Sequence, residues 1–430
     1  MDILILILGL VILTLLALKG VPIIIASLVT SVLVLAISGA NIYDGILTTY
    51  MTGMSVYVAK YFLVFFFGAL FGKFCEISGA TDSIAQGIVS RFGERHVMTG
   101  LIVAAAILGF GGVSLFVALF ALYPLAMSLF EKANVPRKLF PGGYIAGAAT
   151  FAMTSPFSPA VQNIIPTSYL GTTVSACAVP GSIAAVFMAV MVILYMNRQV
   201  AKCRDKGEGF EPIEGENHKI RSKEELPHIV IALLPMVLLI ISLNVLKWKI
   251  EVSLLVGIAS ALVFYFKYLP KNFKALWKHV NSSGSDAISS IINTSATVGF
   301  GSVIASTPAF AAAITTVTGI GGNPLIAAGI ATTALAGISG SASGGLGIAV
   351  PIVAKYFLPM GVNPEALHRV ASVASGGLDS LPHNGFVVTC LNYSKTTHKE
   401  GYIHIFMVSV LFPLLELALL LVLIKLFGYM

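Results

Sequence analysis

Charge is what this sequence has least of. Asp, Glu, Lys and Arg together make up 10% of its 430 residues, against about 25% in an average soluble domain, which excludes an ordinary water-facing surface. Tryptophan falls to two residues and cysteine to four. Cys75, Cys177, Cys203 and Cys390 form no C-x-x-C pair, so neither a disulfide framework nor a zinc site is indicated. Also missing are a G-x-S-x-G elbow, an H-E-x-x-H helix and a phosphate-binding glycine loop, the local signatures of common hydrolases, metalloproteases and nucleotide enzymes.

What is there is hydrocarbon. Hydrophobic residues make up 57% of the chain, and mean hydropathy is +0.92. Apolar runs close to the ~20 residues that cross a bilayer recur from ILILILGLVILTLLALKG at 3–20 to HIFMVSVLFPLLELALLLVLIKLF at 404–427. The chain reads as an all-α polytopic membrane protein. Its first run has no basic flank before it and no small-residue cleavage site after it, so it is expected to be a span, not a secretion signal.

Laid on itself, the sequence repeats its layout. Spans 3–20 and 22–39 coincide with 231–248 and 251–267, span 59–78 with 286–305, and ANVPRKLF with GVNPEALH, so that Pro136 meets Pro364 and Leu139 meets Leu367. The first repeat, 1–200, has spans within 3–78, an interfacial amphipathic helix at 81–94, a re-entrant hairpin at 98–130, a broken helix at 138–171 and a last span at 173–196. A polar linker at 201–226 is expected to be a flexible cytoplasmic tether. The second repeat, 227–430, has spans within 231–305, a hairpin at 324–358, a broken helix at 366–393 and a last span at 402–427.

Glycines mark the hairpin tips: Gly109, Gly111 and Gly112 in the first, GISGSASGG in the second. The helix breaks are TSPFSP, where Pro156 and Pro159 remove backbone donors, and DSLPHNG. Each repeat crosses the membrane an odd number of times, so the two have inverted topology.

The basic residues agree. With both termini outside, the cytoplasmic side receives Lys19, Arg91, Arg95, Lys132, Arg137, Lys138, the linker from Arg198 to Lys223, Lys267, Lys271, Lys274, Lys278, Lys395 and Lys399. The outside keeps chiefly Lys60, Lys247, Lys249, Arg369 and Lys425, as the positive-inside rule requires. A formal net charge of +7 is thereby explained without a nucleic-acid partner.

Unpaired backbone groups cost several kcal/mol in hydrocarbon, and discontinuous helices paired by an inverted repeat are the signature of secondary transporters. The breaks therefore supply the candidate site. Asp379, in the second break, and Glu416, in the last span, are acids at membrane depth and candidate carriers of a coupling ion. Their structural alternatives are a cap on the following half-helix for Asp379 and a bond to a neighbouring span for Glu416. Ser380, His383 and Asn384 offer donors to a hydroxyl or carboxylate. His383 has no Cys or His companion and is not read as a metal ligand. The first break offers Thr154, Ser155 and Ser158, with Gln162 and Asn163 a turn onward. The tips add Gly111, Gly112 and Ser114 on one side and Ser339, Ser341 and Ser343 on the other, where close packing by small residues is the competing reading.

GSASGGLGIAVP, LHRVASVASGGLDSLPHNG and THKEGY resemble the gluconate permease (GntP) family, and within it the branch of D-beta-hydroxybutyrate permeases. The resemblance spans nearly the whole chain. It implies a symporter of the bacterial cytoplasmic (inner) membrane within the ion transporter superfamily. It further implies paired hairpins and broken helices in a mobile transport domain, a scaffold that makes a homodimer, and an elevator mechanism. The family's tips and breaks fall on the positions named above. Where the gluconate branch carries an acid at the first tip and histidines in the first break, this chain reads GFGGVSLF and TSPFSPAV.

The expected function is import of a small organic monocarboxylate such as D-3-hydroxybutyrate, coupled to H+ or Na+, with no cofactor and with membrane lipid as the surrounding partner. A sugar-acid symporter for gluconate is the alternative. An intramembrane hydrolase is disfavoured because Asp379 and His383 sit either side of a proline turn. A channel is disfavoured because the polar residues gather at one depth instead of forming rings along a pore.

Overall fold

The computed structural model describes residues 8–9, 11–13, 15–16, 19, 21–213, 221–308, 323–382 and 384–429. The expected span at 3–20 lies largely outside these residues, and His383 lies wholly outside them. Every regular element among them is helical. In chain order they are α1 (Ile23–Ile37), α2 (Met51–Ile77), α3 (Ala80–Phe92), α4 (Val97–Phe110), α5 (Leu115–Ala133), α6 (Phe140–Ala148) and α7 (Ala178–Asp205). After the linker come α8 (Ile229–Asn244), α9 (Ile250–Phe264), α10 (Phe273–Ala305), α11 (Pro324–Ser339), α12 (Ala342–Phe357), α13 (Pro364–Ser375), α14 (Gly385–Tyr393), α15 (His398–Phe406) and α16 (Phe412–Leu426). A π-helical segment, Gly45–Tyr50, leads into α2, and another, Met407–Leu411, joins α15 to α16. Six helical stretches among the described residues are long and apolar enough to cross a membrane.

Apolar helices in lipid gain little by hiding from water, so they associate through close packing of small residues. The long pair α2 and α10 does this: a Cβ added to Gly53 would lie 2.1 Å from Ser302 Oγ, and one added to Gly299 would lie 2.9 Å from the Tyr50 carbonyl. Around that pair gather α1 and α9, with α8 beyond α9. Polar side chains within these helices bond back to their own turn, as Thr30 does to Ala26 O at 2.7 Å and Ser31 to Ser27 O at 2.7 Å.

The hairpins form where glycine cuts the sequence. Between α4 and α5, Gly112 adopts φ +84°, and between α11 and α12, Gly340 adopts φ +58°, a left-handed conformation that other side chains resist. In each hairpin the first helix packs against a broken helix, α4 on α6 and α11 on α13, and the last span of each half joins them, α7 meeting α16.

Two regions depart from the sequence reading. The helix expected at the lipid interface, α3, buries Ala80, Ile84, Ala85 and Val89 against α4, α5 and α8: protein occupies the face that its period had offered to lipid. The linker is less of a tether than its composition suggests. Helix α7 runs on to Asp205, and beyond it Glu208 pairs with Lys138 at 2.6 Å, Phe210 N–H donates to Asn134 Oδ1 at 2.9 Å, and Arg221 lies 3.5 Å from Asp82.

The α11–α12 contact is the tightest test of this packing, because a Cβ on Gly345 would sit 2.3 Å from Ala336 Cα, backbone that cannot swing aside. Gly345→Ala should cost about 1–3 kcal/mol as overpacking and lower the melting temperature of the detergent-solubilised protein. Gly68→Ala, with nothing within 4 Å, should not lower it.

Candidate functional site

The first break is built from α6 onward. After α6 comes a single turn, Phe151–Thr154, and then the chain leaves the helix at Ser155 (ψ 152°) and resumes in the short turns Val161–Ile164 and Thr167–Leu170. Phe157 sits at φ +70°, a conformation that costs a bulky residue about 1–3 kcal/mol. Bonds on both sides hold it there. Its N–H donates to Val174 O at 3.1 Å, and its carbonyl accepts from Asn244 Nδ2 at 3.0 Å.

A break leaves carbonyls without helical donors, and one side chain answers three in the break and the segment after it. Arg369, on α13, is fully buried at 0% exposure. Its Nη1 donates to Thr154 O, its Nε to Ala176 O at 3.1 Å, and its Nη2 to Val174 O and Ala176 O at 3.0 Å each. The planar fork of the guanidinium suits this role, since its donors point in fixed, divergent directions. Arg369 had been counted among residues on the outer side; it belongs instead to the interior, because the carbonyls of the first break converge on it. Glu416, 2% exposed on α16, makes no hydrogen bond among the described residues and stands within electrostatic range of Arg369.

The neighbouring His368 extends the net. Its Nε2 lies 3.0 Å from Asn163 Oδ1 and its Nδ1 lies 2.7 Å from Thr172 Oγ1. Asn163 Nδ2 already donates to Ser158 O at 2.8 Å and Val174 O at 3.0 Å. Its Oδ1 must therefore accept, so in the neutral ring Nε2 carries the proton and Nδ1 accepts from Thr172. Ser372 Oγ completes the contact by donating to Gln162 O at 3.2 Å.

The second break is organised by Asn384. Its Oδ1 caps α14, accepting from the amides of Phe386 at 2.7 Å and Val387 at 2.9 Å, while Nδ2 donates to Asp379 O at 2.8 Å and to Gly340 O at 2.9 Å. One side chain thus ties the break to the tip of the second hairpin. Asp379 is half-buried and does not cap α14. Its carboxylate accepts from Ser380 Oγ at 2.9 Å and faces the backbone amides of Ser380 and Ala342, the latter being the first residue of α12. The start of α12 therefore faces this acid, while the start of α14 is tied to its main-chain carbonyl through Asn384. Tyr402 OH donates to Ser380 O at 3.2 Å.

The first hairpin reaches the site from the other side. A Cβ on Gly112 would lie 3.8 Å from Pro159 Cγ in the first break. Past the tip, Phe116 meets Phe386 of α14 edge-on at 5.2 Å, and Phe386 meets Tyr144 of α6 at 6.1 Å.

The candidate side chains fall into two groups. Ser158 bonds to Ala152 O at 2.8 Å, Thr154 to Thr150 O at 3.5 Å, Ser339 to Ala336 O at 3.1 Å and Ser341 O at 2.9 Å, and Asn163 and Asn384 are occupied as described. Ser341 caps α12 through Gly344 N–H and shares a 3.3 Å contact with Ser343. Ser114 and Ser155 have no hydrogen-bond partner among the described residues, and their hydroxyls remain available. No hydrogen bond among those residues joins Ser155 or Ser158 to Asp379 or Ser380; the first break is tied through His368 and Arg369 to α13, the half-helix that precedes the second. The two candidate acids stand apart as well, Glu416 with Arg369 and Asp379 with α12. Arg369 and His368 were passed over in the sequence. A signal was present: they interrupt a half-helix otherwise made of small and apolar residues, ALHRVASVAS, immediately before a break.

Helices of this kind, interrupted inside an apolar bundle and paired with glycine-tipped hairpins, are shared with known transporters. Residues 1–425 match the GntP family permease family. The chain belongs to the GntP permease family. Within reach of it is an uncharacterized transporter of Bacillus subtilis (strain 168), YxjC, 32% identical over 458 aligned positions that cover 96% of each chain. Among solved structures, the YdaH transporter of Alcanivorax borkumensis superposes with a TM-score of 0.65 over 90% of each chain at 14% identity, a likeness of fold. This GntP permease is thus a polytopic membrane protein of a transporter family.

Removing Arg369 from it would strand the carbonyls of Thr154, Val174 and Ala176 and leave Glu416 without its counter-charge. Arg369→Met should cost about 1–3 kcal/mol for each buried carbonyl left unsatisfied, read as lost yield and thermal stability. Arg369→Met combined with Glu416→Gln should lose less than the two single changes add up to.

Proposed function

We propose that this protein is a secondary active transporter that imports a small organic monocarboxylate, such as D-3-hydroxybutyrate, by symport with H+ or Na+. The observation that carries the reading is that Asp379 faces the start of α12, while Asn384, the cap of α14, ties that second helix start to the same hairpin tip. Helix N-termini attract anions. The start of α12 supports this acid, and the start of α14 beside it offers attraction for a second carboxylate next to Gly385, where an added Cβ would meet nothing within 4 Å.

The same geometry suggests how coupling arises. Two carboxylates side by side in a region of low dielectric repel strongly, so the substrate anion is accepted once Asp379 has taken up a proton or a sodium ion. Ser155 and Ser114, with free hydroxyls, are the further substrate contacts, joined by Ser343, Ser380 and His383 and by the main chain at Gly112. Thr154, Ser158, Asn163, Ser339, Ser341 and Asn384 contribute by shaping the breaks and tips. Glu416 is the second candidate for the coupling ion. Since Asp379 is engaged by Ser380 and main-chain amides, the site suits binding better than hydrolysis.

The transport domain, in this reading, comprises the hairpins, broken helices and last spans, and α1, α2 and α8–α10 form a scaffold that makes a homodimer in the bacterial inner membrane with both termini outside. The matching pairs α4 on α6 and α11 on α13 support two inverted repeats. Elevator motion would have to break three hydrogen bonds between these parts, Lys60 Nζ to Ser168 O at 3.2 Å, Tyr61 OH to Ile165 O at 3.3 Å and Asn244 Nδ2 to Phe157 O at 3.0 Å, and slide α12 past α10 and α2, where Gly301 meets Ile348 and Gly347 meets Tyr57.

Gluconate import is the second reading, favoured by the family's name. Proteoliposome uptake of labelled 3-hydroxybutyrate, driven by imposed pH or sodium gradients and competed with gluconate, separates the two. Uptake indifferent to both gradients would refute symport, and Asp379→Asn should abolish gradient-driven accumulation. A reducible bis-methanethiosulfonate crosslink between cysteines introduced at Lys60 and Ser168 should stall transport until it is reduced; unimpaired transport by the crosslinked protein would rule out the elevator.

A further inference from the structure

Helix α10 is long and apolar enough to cross a membrane, yet one side of it is polar. Asn281, Ser285, Asp286, Ser289, Ser290 and Asn293 are all exposed, on the side of the helix opposite the buried Ala287 and Ile291. These residues lie at membrane depth. The helix runs beside α2, and a Cβ on Gly284 would lie 3.6 Å from Phe66, within the uncharged stretch of α2 that precedes Lys73. From Asn281 to Asn293 the helix rises about 18 Å, more than half of the ~30 Å hydrocarbon core. Ser285 bonds back to Asn281 O at 3.2 Å. The other five side chains make no hydrogen bond or ion pair among the described residues.

Lipid is a poor neighbour for this side, because a carboxylate and two asparagines are expensive in hydrocarbon and are found instead against protein partners or water. A second copy is a poor neighbour too. An interface with twofold symmetry centred here would bring Asp286 towards its own copy, where low dielectric strengthens the repulsion. Water satisfies every group without that cost. The polar side also leads to the proposed site. It opens at the end of α10 that carries Lys274 and Lys278, cytoplasmic in the topology given above, and one turn beyond Asn293 stands Thr297. A Cβ on Gly344 would lie 2.8 Å from Thr297 Oγ1. Gly344 is in the first turn of α12, two residues after Ala342, whose amide faces Asp379.

The lining selects by charge. It is made of hydroxyls, amides and one carboxylate, and the sequence has no Lys, Arg or His from 280 to 354. Such a wall attracts a cation and repels a carboxylate. We propose that this side of α10 walls a water-filled passage through which the coupling cation, a proton or a sodium ion, leaves Asp379 for the cytoplasm, with Asp286 as a station on the way. As the exit of a coupling ion the passage rests on the function proposed above. As a hydrated, cation-selective cleft it does not.

Cysteine accessibility tests the two separately, since the four natural cysteines are buried and the unmodified protein serves as the blank. In inside-out membrane vesicles holding the full-length protein, Ser289→Cys and Asn293→Cys should react with an impermeant trimethylammonium methanethiosulfonate. Ile288→Cys, at a position 52% exposed on the apolar flank, should not. At Asn293→Cys the rate ratio of this cationic reagent to its sulfonate counterpart should fall at least threefold when Asp286→Asn is added; an unchanged ratio would overturn the role of Asp286. No reaction at either position, or oxidative crosslinking of Ser289→Cys between two copies, would overturn the passage. In proteoliposomes, Asp286→Asn should lower the maximal rate of gradient-driven 3-hydroxybutyrate uptake at least threefold with little change in KM, and pH and sodium gradients applied in turn identify the cation. Reactive cysteines without gradient-driven uptake would keep the cleft and refute symport. Unreactive cysteines, with normal coupled uptake by Asp286→Asn, would overturn the passage and leave transport standing.

Discussion

A main-chain carbonyl that loses its helical partner inside an apolar bundle has no water to turn to, and the rest of this structure follows from how those carbonyls are answered. Arg369 answers three of them at once. An ammonium group would have been a poorer choice, with fewer donors and a compact charge that sheds water reluctantly. Glu416 on the last span and Glu365 on α13 are the acids within electrostatic range of this cation. A break in the first half of the chain is thereby held by a helix from the second half, and the two halves become one unit around it.

Asparagine plays the corresponding role at both breaks. Asn163 joins Ser158, Val174 and His368, while Asn384 joins Asp379, Gly340 and the first amides of α14. An amide side chain offers donors and an acceptor without charge, so it can close a local circuit where a charged group would need a further partner. The consequence for function is a division of labour. Side chains that fix the breaks are saturated by the fold, whereas Ser114, Ser155 and the half-buried Asp379 keep spare hydrogen-bonding capacity, which the proposed transport would use.

Close approach is the second constraint. Glycine lets α2 meet α10 and α11 meet α12 at distances no other residue would permit, and it lets both hairpins turn within a single left-handed residue. These contacts involve backbone, so they are stiff. The hydrogen bonds between the outer helices and the first break come from Lys60, Tyr61 and Asn244.

Much of this was legible in the sequence. Composition determined the membrane class, glycine clusters located both hairpin tips, and proline with its polar neighbours located both breaks, because each of these effects acts within a few residues of its cause. The pairing of elements was not legible, since it depends on what lies opposite. Amphipathic period alone sent α3 to the lipid interface, where protein in fact covers its apolar face. Positive-inside counting sent Arg369 to the outer side, because a count of charges knows nothing of carbonyls arriving from Thr154, Val174 and Ala176, up to 215 residues away in the chain. Whether a serine is free or spent, and which helix start Asp379 faces, depends on directions in space that residue order does not carry. The sequence determined by itself where the helices must break; the tertiary structure decided what holds each break open, because only packing brings the missing donors to it.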